Sequence, residues 1–367
     1  MSSLSELSKP FLYTFYFLAQ NPFPSPTFTS KNKFLWCLSK LPVLVLSSVS
    51  LYVTIYSFTN DQYATPKNHA REIIHVLLII SSSMTNLTIA YQCIFLSRTW
   101  IQIQESFSGL ETEFKDLIPG EDVHFTKFRK HFVLKCGAMF FFYIISIFAM
   151  IMSRVTDEKF VSSYMVVLTL LNDLSALQTI YFVDLSKYFM KTITHAFRAD
   201  RTIDINEKFA EEKFIKSMKR LHLSVWKTVD KINEYFGLFL LGYIIQQFLM
   251  ISYDIYWIFL NKFDVGIWLG LDNGFVLISD MLSFFFLSNS CHKLSTEADK
   301  IRTLLYERDD CLSLPEGQLF LSQILNQPIK IGAKGFYKLD QSFFAALTVG
   351  SMTSAIMLVQ FQFQTLI

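Results

Sequence analysis

Long apolar runs alternate with polar stretches along the chain. Seven of them are long enough to cross a hydrocarbon layer of about 30 Å as helices, near residues 34–58, 73–96, 132–153, 164–186, 236–260, 266–289 and 341–363. The pattern predicts an all-α membrane protein with seven transmembrane helices. A hydrophobic fraction of 51% does not by itself separate this chain from soluble proteins. The clustering of those residues does.

Helix-breaking residues are as informative as the apolar ones. No Gly or Pro occurs from Ala138 to Phe236 or from Phe275 to Leu314, so the helices of spans 4 to 6 are predicted to run on beyond the membrane. Phe209, Phe214, Ile215, Met218, Leu221, Leu223, Val225, Trp226 and Val229 recur at close to helical spacing. Residues 187–235 and 290–340 are therefore expected to form a helical bundle outside the membrane, with breaks at Pro119-Gly120 and at Pro315 to Gly317. The whole chain, 1–367, reads as one domain with 341–363 as its last helix, and it carries no internal repeat of the inverted-transporter kind.

Charge orients the bundle. Twenty-six of the 33 Lys and Arg residues fall in the N-terminal arm and the 2–3, 4–5 and 6–7 loops, against five on the opposite side. Positive residues are retained in the cytosol, so the N-terminus is expected there and the C-terminus outside, in a multi-pass protein of the plasma membrane. Cys37, Cys93, Cys136, Cys291 and Cys311 then all lie on the reducing side, where disulfides are not expected. The intramembrane cations Lys40 and Lys135 lie near inner span ends and are expected to snorkel to the headgroups.

Five aspartates, Asp173, Asp184, Asp254, Asp272 and Asp280, fall inside spans. A carboxylate in hydrocarbon is costly and faces a partner, the bundle interior or a watery cavity. Gln246, Tyr253 and Trp257 share a face of span 5, and Trp268, Asp272, Phe275 and Ser279 share one of span 6, with Asp254 at a depth similar to that of Asp272 and Asp173 somewhat deeper in span 4. These residues predict an aromatic-walled, partly acidic cavity for a small molecule. The other reading is pairing between helices. Neighbouring span aspartates also suggest an intramembrane aspartyl protease, but Leu271 occupies the place of the glycine that should precede the second aspartate. No metal-ligand spacing or phosphate loop is present, so neither an enzyme nor a cofactor is expected. A G-protein-coupled receptor would need the opposite orientation and an Asn-Pro-x-x-Tyr motif in span 7.

The last span narrows the choice. Thr353-Ser354, five apolar residues and Gln360-Phe361 resemble the C-terminal signature of insect gustatory receptors, and Gly335-Phe336-Tyr337-Lys338-Leu339-Asp340 resembles the segment leading into it. Thr296-Glu297-Ala298 is also similar, and the close match covers residues 290–364. Ser354 replaces the motif tyrosine, and Ala355 stands where the sugar-receptor branch carries Glu, which argues for a divergent member. The resemblance implies a tastant-gated, non-selective cation channel, a homo- or hetero-tetramer with related receptors. It also implies a pore lined by the last helix, an inter-subunit anchor at the cytosolic ends of spans 4 to 7, and a ligand pocket among spans 2 to 6. Ala346, Gly350, Ser354, Met357, Phe361 and Gln364 follow a helical stripe suited to such a pore. A phenylalanine ring at Phe361 would close it by dewetting, with Gln360 beside it as an ion-facing amide. A metabotropic chemoreceptor or a small-molecule transporter is the alternative.

Overall fold

The computed structural model describes residues 69–117, 125–152, 159–199, 208–260, 267–308 and 312–364, with single positions 11, 45, 47–49, 51, 52 and 55 ahead of them. Most of the first predicted span, Cys37, Lys40, Cys311 and the break at Pro119-Gly120 lie outside the described residues. The described chain is helical almost throughout: α1 (His69–Phe95), α2 (Ser97–Leu117), α3 (Phe125–Met152), α4 (Lys159–Ala199), α5 (Lys208–Leu260), α6 (Ile267–Tyr306) and α7 (Pro315–Asn326), a two-residue hairpin of β1 (Gly332–Ala333) and β2 (Tyr337–Lys338), and α8 (Gln341–Gln364). Helices α1, α3, α4, α5, α6 and α8 hold the predicted spans 2 to 7. Over their described residues, α1, α3, α5, α6 and α8 are each long and apolar enough to cross a membrane.

Helix α4 is enclosed by the others. From Leu168 to Ser186 every residue but the half-buried Leu170 is buried, among them Asn172, Asp173, Ser175, Gln178 and Thr179. Packed on α6, α5, α1 and α3, this helix turns its polar side chains to other helices rather than to lipid.

At one end the helices continue into a common base. Phe284, Leu287, Cys291, Leu294, Ala298, Ile301 and Leu305 of α6 repeat at spacings of three and four and are all buried. On α5 the same holds for Ile215, Met218, Leu221, Val225, Val229, Ile232 and Phe236. Such stripes place one helix face permanently against its neighbours. Helix α2 adds an extension beyond those expected: it continues α1 through a bend at Leu96 and buries Trp100, Ile103, Phe107, Leu110 and Phe114. Its rings interleave with α4, Phe107 stacking on Phe182 at 5.7 Å and Phe114 lying 5.0 Å from Phe189. Pro315, expected to mark a break, instead occupies the first turn of α7. A missing N–H costs nothing there and the fixed φ favours the helix.

Two glycines of α5 allow unusually close approach. A Cβ at Gly237 would meet the Lys334 backbone nitrogen at 3.2 Å, and one at Gly242 would meet Thr85 Oγ1 at 3.2 Å. The hairpin and α1 thus lie directly on the α5 backbone.

Candidate functional site

Each buried polar group inside the bundle is defined by the helix that carries it and the partner it finds. Lys135 of α3 donates to Asp184 Oδ2 at 2.6 Å and to Ser290 Oγ at 2.7 Å, while Lys187 donates to Asp184 Oδ1 at 2.6 Å. Lys135 is thus held between α4 and α6 rather than extended to the headgroups. A carboxylate flanked by two ammonium groups offers it more than a partly hydrated interface. Asp173 is completed differently, accepting hydrogen bonds from the hydroxyls of Tyr143, of Tyr243 at 2.6 Å and of Ser283 at 3.0 Å. Four helices, α3 to α6, are tied together at that carboxylate.

Beside it Asn172 Nδ2 donates to Gln246 Oε1 at 2.6 Å. Asp254 is buried on α5 and Asp280 wholly buried on α6. Of the residues the sequence singled out, Asp173, Gln246 and Asp254 are therefore enclosed among the helices. Tyr253 and Trp257 are half-buried and form a T-shaped ring pair with centroids 6.0 Å apart. Tyr253 also packs with Ile74, Leu78 and Met250 between α1 and α5. The side chains of Trp268 and Asp272 lie outside the described residues. Sequence reasoning passed over Tyr143, Asn172, Tyr243, Gln247 and Ser283 and did not place Asp280 in the cavity. The Gln246-Gln247 and Asn172-Asp173 doublets, adjacent polar residues in mid-span, were the available signal.

Helix α8 has two unlike sides. Leu347, Ser351 and Ala355 are buried, the Ser351 hydroxyl donating to the Phe248 carbonyl of α5 at 3.3 Å. Ala346, Met357, Gln360 and Phe361 are exposed in the single chain, Gly350 and Ser354 half-buried, and the Gln364 side chain lies outside the described residues. The segment leading into α8 forms the hairpin. Lys334 and Gly335 turn it with φ of 50° and 81°, Leu339 is buried with its N–H donating to the Ile331 carbonyl, and Asp340 Oδ1 accepts the Phe343 N–H at 2.9 Å. That backbone hydrogen bond holds the Asp340 carboxyl below its ordinary range, with Lys338 assisting. Asn233 of α5 grips the other strand, donating to the Lys330 carbonyl and accepting the Gly332 N–H.

Among the described residues no group of three His, Cys, Asp or Glu side chains could hold a metal ion. A polar layer inside membrane-length helices, a helical base and a last helix bare on one side define a polytopic helical receptor or transport protein. The family model for 7tm chemosensory receptors matches residues 8–365. The chain belongs to that family, and the protein is a chemosensory receptor rather than an enzyme. No curated protein sequence matches it. Among solved structures the fold is similar to the insect olfactory receptor OR5 from Machilis hrabei in complex with eugenol, at TM-score 0.66 and 13% identity over 96% of this chain and 97% of that one. It is also similar to a second structure of the Machilis hrabei receptor OR5, at TM-score 0.66 and 12% identity over the same shares.

Proposed function

We propose that this receptor is a gustatory receptor acting as a tastant-gated, non-selective cation channel of the plasma membrane. Four subunits, identical or mixed with related receptors, place their α8 helices around a central pore. The observation that carries the reading is α8 itself. Its Leu347, Ser351 and Ala355 side is fixed inside the subunit, while Met357, Gln360 and Phe361 stand uncovered on the same helix as the gustatory signature. Gln364 extends that stripe. The buried aspartates and the Tyr253–Trp257 pair, together with the sequence-predicted Trp268 and Asp272, form the recognition region for a small organic molecule. The likeness to a receptor solved with eugenol supports that class of ligand. Orientation follows the charge bias, with the N-terminus cytosolic, so the base is the cytosolic anchor.

Recording from cells expressing this chain, dialysed without GTP, tests the proposal during calcium-imaging-guided application of tastants. A channel retains its response and shows unitary openings. A response that disappears without GTP identifies a G-protein coupler instead, and transport current without unitary events identifies a transporter.

A further inference from the structure

The described span aspartates are not completed alike. Asp184 has two lysines and Asp173 three hydroxyls. Asp280, also fully enclosed, has neither arrangement. The Gln247 amide and the Tyr143 hydroxyl lie alongside it, yet neither carboxylate oxygen receives a well-directed hydrogen bond. The charged groups acting most strongly on it are Asp173 and Asp254, both acidic. Polar atoms on the adjoining helix faces are also without hydrogen-bond partners: both amide atoms of Gln247, Nε2 of Gln246, Oδ1 of Asn172 and the Ser279 hydroxyl. A carboxylate buried without a counter-charge is among the costliest arrangements in a protein interior.

Two features decide what would complete it. Asp173 and Asp254 both act electrostatically on Asp280, but among the described residues no three such groups approach closely enough to share a metal ion. The unfilled positions also include amide donors as well as acceptors, and a bare cation cannot use donors. We infer that the cluster of buried, unpartnered polar groups contributed by α4, α5 and α6 around Asp280 receives a small organic cation, a protonated amine carrying a hydroxyl or carbonyl group. The ammonium group pairs with Asp280, and the oxygen-bearing group meets the amides of Gln246 and Gln247. The inference rests on the reading of this protein as a small-molecule receptor and adds the ligand class.

The test reads binding separately from conduction. Full-length protein in lipid nanodiscs is melted with ethanolamine, tyramine and hydroxypiperidine, and with the neutral N-acetyl derivative of each. At least one amine should raise the melting temperature saturably while its acetylated counterpart does not. Asp280→Asn should weaken that amine's apparent affinity about tenfold or more, the loss of a charge-assisted hydrogen bond, and Asp280→Glu should retain most of it. If Asp280→Asn does not fold, Gln247→Leu takes its place, with an expected loss of severalfold. Equal stabilisation by amines and acetylated counterparts, no stabilisation by any amine, or undiminished binding in both Asp280→Asn and Gln247→Leu would each overturn the inference. An amine that binds but opens no conductance leaves the inference standing and counts against the channel. Currents evoked by neutral compounds alone do the reverse.

Discussion

His222 of α5 is enclosed at the base by the Phe320 ring, 5.7 Å from its own, and by the Gln323 amide at 3.2 Å from Nδ1. Burial pushes its imidazole down from the ordinary 6.5 to about 4. Between those values the unfolded chain takes up a proton that the folded chain refuses. The stability is therefore complete above the ordinary histidine range and is lost as pH falls toward 4, by at most about 3 kcal/mol. Thermal melts of the purified protein should drop from neutral pH to about pH 5, and His222→Gln should flatten the slope. An unchanged slope in the variant would remove His222 from the acid response. At the far end of α8, Phe361→Ala should produce current without ligand, and Gln360→Ala should change conductance or ion preference more than ligand sensitivity. Normal closed-state leak and normal conductance in well-expressed variants would take both residues out of the gate. At this scale the sequence revealed which polar residues lie in spans but not how they pair. Lys135 and Asp184 are 49 positions apart, and only the packing of α3 on α4 and α6 brings them together.

Between residues and the molecule stands the hairpin leading into α8. Its motif was visible as a string of letters, while the physical reasons are local geometry. Gly335 supplies a positive φ, Leu339 fills the core, and Asp340 caps the first turn of α8. A β-branched residue at Gly335 incurs the left-handed penalty of about 1–2 kcal/mol, whereas asparagine tolerates that region. Gly335→Val should therefore lower the melting temperature and surface yield, with Gly335→Asn close to the parent. Asp340→Ala should cost about 1 kcal/mol, the usual worth of such a cap. Equal stability of Gly335→Val and Gly335→Asn would show that the turn is not under this constraint. Helix continuity in α4, α5 and α6 was legible because breakers are absent. Helix α2 was overlooked although Trp100, Ile103, Phe107, Leu110 and Phe114 follow a helical stripe, because its polar residues resemble those of a loop. Pro315 reads as a break in the sequence because a proline that ends one helix and a proline that starts another look alike until the flanking turns are known.

The whole chain reads as a membrane bundle because apolar runs report on solvent directly. The charge bias makes orientation testable: on unpermeabilised cells a C-terminal epitope tag should stain and an N-terminal one should not, and the reverse pattern would sink the proposed pore geometry. One element belongs to both membrane and base. Helix α5 runs 53 residues, about 80 Å, without an interruption, and it packs against α1, α2, α4, α6, α7, β1 and α8. Gly237, where the hairpin rests on its backbone, lies near its midpoint. An unbroken helix held at its middle would behave as a seesaw. A ligand that drew α5 sideways at Gln247 would swing the opposite arm the other way in the base. It would also tug the hairpin, and with it the start of α8, at the fulcrum.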